Sequence, residues 1–169
     1  TSHIFAHFEG DALLSVRPSS QDPDWGGPGA MLNIGMTEAR HKALIDELGA
    51  PAADSLFARF IQTYATQVAR LDADLFEPGD APDGARIVQM LADYEDEAEE
   101  PFPDDPREQL SDVLRSMARA WDGTSARLLR QARGAPGDAG LGLVVQKMAR
   151  GVGPAESGSG VIQFVSSDT

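Results

Sequence analysis

The sequence predicts an α+β fold in which a helical block sits between short β segments. Three observations carry the prediction. Residues 12–17 (ALLSVR) form a short apolar run bounded by Gly10-Asp11 and by Pro18-Ser19-Ser20, the pattern of a buried strand. The middle of the chain shows apolar residues at three- and four-residue steps, the helical period. From Gly134 the texture returns to β-branched runs between Gly-, Pro- and Ser-rich stretches.

Taken in order, the first strand runs into SSQDPDWGGPGAMLNIG, where Pro23, Gly26, Gly27, Pro28 and Gly29 crowd together and predict a loop. Thr37 then predicts the N-cap of a helix, TEARHKALIDEL, that Gly49 stops. The strongest stripe spans residues 52–71, with Leu56, Phe57, Phe60, Ile61, Tyr64, Val68 and Leu71 on one face. Ile87, Val88, Leu91 and Tyr94 repeat it more briefly. PFPDDP breaks that helix, and Leu110, Val113, Leu114, Met117 and Trp121 mark the next. Thr124 is the expected cap of a last helix reaching Arg133. Residues 141–149 and 161–166 read as two strands joined by a Gly/Pro/Ser turn, a β-hairpin that needs further strands for stability. The segments are therefore 1–36 (strand and glycine-rich loop), 37–100 (helical insertion), 101–133 (returning helices) and 134–169 (hairpin).

Composition removes several function classes. The chain has 169 residues, enough for one sizeable core, and a formal net charge of −13. That balance argues against nucleic acid or an anionic membrane as partner, though a local phosphate site stays open. Without cysteine there are no disulfides, thiolate nucleophiles or Cys-based zinc sites. No metal ligand set is apparent, and His3, His7 and His41 form no nucleophile–base set with Ser19 or Ser20. No run reaches the roughly 18 apolar residues of a membrane span, and the N-terminus lacks a signal peptide's basic and apolar regions. With no initiator Met, the chain reads as a cytoplasmic piece of something larger. The charge also has an address. Residues 72–112 hold 15 Asp or Glu against 2 Arg, while the other 128 residues hold 12 of each sign. The acidity is confined to the helical middle.

Two places suit an anionic, planar ligand. Arg17 at a strand end faces the loop of Gly26, Gly27 and Gly29, where backbone N–H groups can approach phosphate closely. This is neither a Walker A loop nor GxGxxG, and a surface loop with an ion-paired Arg is the plainer alternative. Val145-Gln146-Lys147-Met148 offers strand backbone for a flat base with Met as an apolar wall; a core-packed Met is the alternative there. Arg59, flanking the apolar stripe, either reaches a phosphate or pairs on the surface with its Asp54 neighbour. Arg115, Arg119, Arg127, Arg130 and Arg133 are expected to pair in part with the acidic run at Glu95, Asp96, Glu97, Glu99 and Glu100. That run lacks EF-hand spacing and reads as a solvated face.

These residues carry a resemblance. Ser15-Val16-Arg17, the glycine loop and residues 31–36 (MLNIGM) are similar to the Ser-Val-Arg, Gly-containing loop and Leu-Asn-Leu-Gly-Leu series of pyruvate phosphate dikinases. Residues 59–64 (RFIQTY) resemble that family's Arg-Phe-Ile-Gln-Met-Phe/Tyr helix, and residues 102–110 with Trp121 its Phe-Pro-x-Asp-Pro-x-Glu-Gln-Leu segment and following Trp. Residues 145–148 and 158–161 resemble its base-binding strand and the strand after it. The ordered set is specific where no single motif is.

The resemblance implies a partial ATP-grasp-type nucleotide-binding domain with a helical insertion. It implies ATP and Mg2+ as cofactors, and phosphoryl transfer from ATP to a histidine of a separate domain and then to pyruvate. The partners would be a nucleotide and the phosphohistidine and pyruvate-binding domains of a parent chain. By match, Arg17 contacts phosphates as the catalytic candidate, Gly26, Gly27 and Gly29 cover them, Arg59 stands on the phosphate side, and Gln146, Lys147 and Met148 hold adenine. There are departures. The family's Met-Met-Asp-Thr falls on Gly27-Pro28-Gly29-Ala30, and its Thr-Arg-Asn-Pro becomes residues 165–168 (VSSD). Its Gly-Gly-Lys-Gly loop and metal-binding Glu segment have no counterpart here, so the isolated chain is expected not to turn over. The alternative is a non-catalytic dikinase-like module that binds a nucleotide or a protein.

Overall fold

The computed structural model describes residues 12–149 together with Ile4, His7, Phe8 and Gly151. Two strands open it, β1 (Leu14–Ser19) and β2 (Met31–Ile34). Five helices follow: α1 (Glu38–Leu48), α2 (Ala50–Tyr64), α3 (Gly84–Ala98), α4 (Pro106–Asp122) and α5 (Thr124–Ala132). The last strand is β3 (Gly142–Lys147). The strands form one antiparallel sheet in the order β2-β1-β3. The chain is thus α+β, with its helices inserted between β2 and β3.

Three expectations change here. The stretch read as one long loop contains β2, because Met31 and Ile34 bury against the core opposite Val16 and Leu14. Short strands beside Gly and Pro carry too few residues for alternation to show. The expected Thr124 cap is instead Gly123, and no side chain caps α5. β3 pairs with β1 rather than standing apart from it, and residues 161–166, the expected second strand of the hairpin, lie outside the described residues.

The helices are positioned by their ends. The Thr37 hydroxyl accepts from the Arg40 N–H to start α1, and Gly49 (φ 85°) ends it. Asp83 and Asp105 cap α3 and α4 in the same way, each accepting a backbone N–H of the first turn. Helix α2 continues into a π-helical turn (Ala65–Ala69) that Arg70 closes in the left-handed region. Leu14, Val16, Met31, Ile34, Phe57, Phe60, Ile61, Met90, Leu110 and Val113 make one core under the sheet. Phe102 is the hub of an aromatic cluster, with ring centroids 6.5 Å from Phe57, 5.9 Å from Phe60, 5.2 Å from Tyr64 and 5.1 Å from Tyr94.

Several polar groups are buried with partners. His41 Nε2 lies 2.7 Å from Asp54 Oδ1, joining α1 to α2 and leaving Asp54 unavailable to Arg59. The Tyr64 hydroxyl donates to Asp112 at 3.0 Å. Burial, reinforced by the Asp112 charge, holds Tyr64 protonated well above the ordinary tyrosine range, and burial pushes Tyr94 up to about 12.

β2 contains a bulge. Leu14 faces Ile34 and Val16 faces Met31, so Leu32 and Asn33 together oppose Ser15. Asn33 adopts φ 60°, a region Asn tolerates and Ala does not. Asn33→Ala should therefore lose roughly 1–2 kcal/mol in urea denaturation, and Asn33→Gly much less. Equal losses in the two variants would show that the bulge carries no strain.

Candidate functional site

The register of β1 against β3 sorts the candidates. Leu14, Val16 and Pro18 oppose Lys147, Val145 and Leu143, and this face turns to the core. Ser15, Arg17 and Ser19 oppose Gln146, Val144 and Gly142 on the other face. Side chains alternate across a pleated strand, so Arg17 and Gln146 are diagonal neighbours on the face away from the core. That face also carries Leu32 and Val144, which are 41% and 42% exposed. An exposed guanidinium beside an exposed apolar strip, both on rigid strands, suits a ligand with an anionic end and a flat apolar body.

The glycine loop leaves β1 at the end of this face and rests on α4 and α5. Gly26 has φ 74°, and a Cβ there would stand 3.1 Å from Arg133 Nη1. Gly27 lies against the Trp121 ring, 3.6 Å from where a Cβ would be. Gly29 lies beside the Gln67 amide, with 3.7 Å to a built Cβ. Arg133 Nη1 donates to the Asp24 carbonyl at 2.9 Å, and Trp121 Nε1 to the Ala139 carbonyl at 3.2 Å. The Arg130 guanidinium stacks on Trp121 at 3.7 Å. Between the loop, the end of β1 and Trp121 is a cavity of about 360 Å³ lined by Ser19, Ser20, Gly26, Gly27 and Leu141 among others.

The remaining candidates lie elsewhere. Lys147 opposes Leu14, on the other side of the strand from Gln146. Met148 packs against the core: its N–H donates to the Leu13 carbonyl at 2.9 Å and its Sδ accepts from the Asn33 N–H at 3.0 Å. Arg59 is exposed on α2 while its neighbours Phe60 and Ile61 are buried. The basic cluster pairs locally, Arg115 with Asp112 and Arg127 with Asp122, and no described ion pair joins it to the acidic run at residues 95–100. Arg115 and Arg127 have nearer carboxylates, Arg130 stacks on Trp121, and Arg133 donates to a backbone carbonyl. Sequence reasoning missed Arg133 and Arg130 as supports of the glycine loop; their three-residue spacing on a helix next to Trp121 was the available signal.

The motif block at residues 102–110 turns out to be a clip. The fully buried Gln109 accepts from the Gly35 N–H at 2.8 Å and donates to the Met36 and Pro103 carbonyls at 3.1 and 2.8 Å. Asp104 accepts from the Glu38 N–H at 2.8 Å. These bonds fix the turn between β2 and α1. Among the described residues no group of three or more His, Asp or Glu could hold a metal ion. No described helix is long and apolar enough to cross a membrane.

No family model matches the chain. A search of curated proteins does find relatives. Pyruvate, phosphate dikinase of Clostridium symbiosum is 29% identical over 177 residues, covering 93% of this chain and 20% of that protein. The Rhizobium meliloti protein of the same name is 28% identical over 183 residues (95% of this chain, 20% of that one), and the chloroplastic form of Oryza sativa subsp. japonica 28% over 167 residues (89% and 18%). The chain resembles one part of pyruvate, phosphate dikinase. It spans about a fifth of the length of these relatives. The resemblance to pyruvate, phosphate dikinase gives the motifs distinct places. Ser15-Val16-Arg17 crosses the centre of the sheet, Leu32-Asn33 forms the bulge, and the Phe-Pro-x-Asp-Pro-x-Glu-Gln-Leu segment holds the two to the helices.

Proposed function

We propose that this chain is the ATP-binding portion of a pyruvate phosphate dikinase-like phosphotransferase, an ATP-grasp-type domain with a helical insertion. One observation carries the reading: the β1–β3 register sets Arg17 and Gln146 on the same outward face of the sheet. Arg17 takes the phosphates, Gly26, Gly27 and Gly29 cover them, and the strand ending at Gln146, Lys147 and Met148 holds adenine through its backbone. Arg59 serves the phosphate side through a part of the parent that reaches it. In the parent, phosphoryl transfer goes to a histidine of another domain and on to pyruvate, in the cytoplasm. Because β1 and β3 share one sheet, residues 14–19 and 142–147 form a single lobe, not the separate phosphate and base-binding lobes expected from the sequence.

Mg2+ would neutralise charge on the phosphates, and the described residues provide no acidic cluster for it. Gly29 and Ala30 stand where the family has Asp and Thr, so binding without turnover is expected of these residues. That substitution also favours a second reading, a non-catalytic module that has kept the nucleotide face.

Titration calorimetry with Mg-ATP tests the proposal. Arg17→Ala should weaken binding at least about tenfold, since a charge-assisted bond to phosphate contributes roughly 1.5–3 kcal/mol. Gln146→Ala should change it less than about twofold, because the strand's backbone makes the contact. Equal affinities for wild type and Arg17→Ala would remove Arg17 from the site.

A further inference from the structure

Two surface features are unexplained by nucleotide binding, and they complement each other. The first is a groove on α3. Val88, Leu91, Ala92 and Glu95, at i, i+3, i+4 and i+7 on one helix face, line a cavity of about 390 Å³ together with Phe57, Pro101 and Phe102. Its charged lining is acidic throughout: Glu38, Glu95 and Asp104. Apart from Glu38 and Phe57 it is lined by the segment that holds the chain's whole net charge, and Val88, at 68% exposed, is the barest large apolar side chain described.

The second is α5, whose amphipathicity is inverted. Arg130 is buried on the Trp121 ring, and Leu128 and Leu129 are turned out, 61% and 51% exposed. Beside them stands Arg127, the exposed cation of this helix, its guanidinium 3.4 Å from Asp122 and 61% exposed. Burying a guanidinium while exposing two leucines is unfavourable for an isolated helix, and the outward face is a ridge of two leucines flanked by the Arg127 guanidinium.

We infer that copies of this chain associate head to tail, the α5 ridge of one entering the acidic α3 groove of the next. Leu128 and Leu129 would fill the apolar floor at Val88 and Phe102, with Arg127 facing the rim at Glu95. Groove and ridge are different patches, so the contact is heterologous. It buries modest apolar area and depends on unlike charge, so it is weak, reversible and salt-sensitive.

Sedimentation velocity of the 169-residue chain tests this. In about 50 mM salt the average mass should rise with concentration, and about 500 mM salt should weaken association roughly tenfold or more. Val88→Asp spoils only the groove and Leu128→Asp only the ridge, and both positions are exposed, so thermal unfolding should match wild type. Each variant alone should be monomeric. Mixed, they should form a 1:1 dimer and nothing larger, because one intact groove meets one intact ridge. A wild type that stays monomeric at low salt, a variant that associates as wild type does, or a mixture that stays monomeric would each overturn the inference. So would a monomeric wild type that binds a synthetic basic, leucine-bearing helix, since another chain would then be the occupant.

Discussion

Gln109→Ala should cost roughly 3–4 kcal/mol of stability, seen as a fall of about 10 °C in the unfolding midpoint. The side chain is fully buried and makes three bonds, all to backbone: it accepts from Gly35 and donates to Met36 and Pro103. A bond of this type contributes about 1 kcal/mol net, and a buried backbone group left unpaired costs more than the bond was worth. The effect also has nowhere to relax. Gly35 sits at φ 99°, and Met36 immediately precedes the cap that starts α1, so the turn is held from both sides. Gln109→Leu keeps most of the volume and separates polar loss from cavity formation. It should lose nearly as much as Ala. A loss under about 1 kcal/mol in either variant, measured by urea denaturation, would mean that the clip does not hold the turn.

The helices were legible in the sequence because their signals are local. Thr37, Gly49 and the PFPDDP break act within one turn of the residues they cap or stop, and a stripe such as Phe57, Phe60, Ile61 and Tyr64 needs only its own spacing to declare a buried face. The sheet was less legible. β2 has four residues, two of them in a bulge, and it pairs with β1 across a Gly- and Pro-rich loop that hides it. Which face of β3 holds Gln146 and which Lys147 is a matter of register, and register is set by partners that no local pattern contains. The resemblance named the motif at residues 102–110 without saying what it does. Its Phe is a packing hub, its two Asp cap helices and its Gln clips a turn, so its residue types serve the fold. Arg130, read in the sequence only as part of a basic cluster, is buried instead on the Trp121 ring of the preceding helix, a partner that no local pattern contains.

Trp121→Ala should be the most damaging single change near the glycine loop, losing roughly 3–5 kcal/mol. Three contacts end together: the ring under Gly27, the Nε1–H to the Ala139 carbonyl, and the ring face that Arg130 covers. The last matters most. Arg130 Nη1 is buried without a hydrogen-bond partner, so the ring's π face is what compensates that cation, and without it the guanidinium must move to water. Trp121→Phe separates the contributions. It keeps a ring under Gly27 and beneath Arg130 but has no N–H for Ala139, so about 1 kcal/mol should go. Amide hydrogen exchange reads the two loops independently. In Trp121→Ala, protection should fall both in the glycine loop at residues 24–29 and in the connection at residues 134–141; in Trp121→Phe it should fall only in the second. If Phe loosened the glycine loop as much as Ala does, the ring would not be the loop's floor. Arg133, through its bond to the Asp24 carbonyl, would then be the contact that holds the loop over the end of β1.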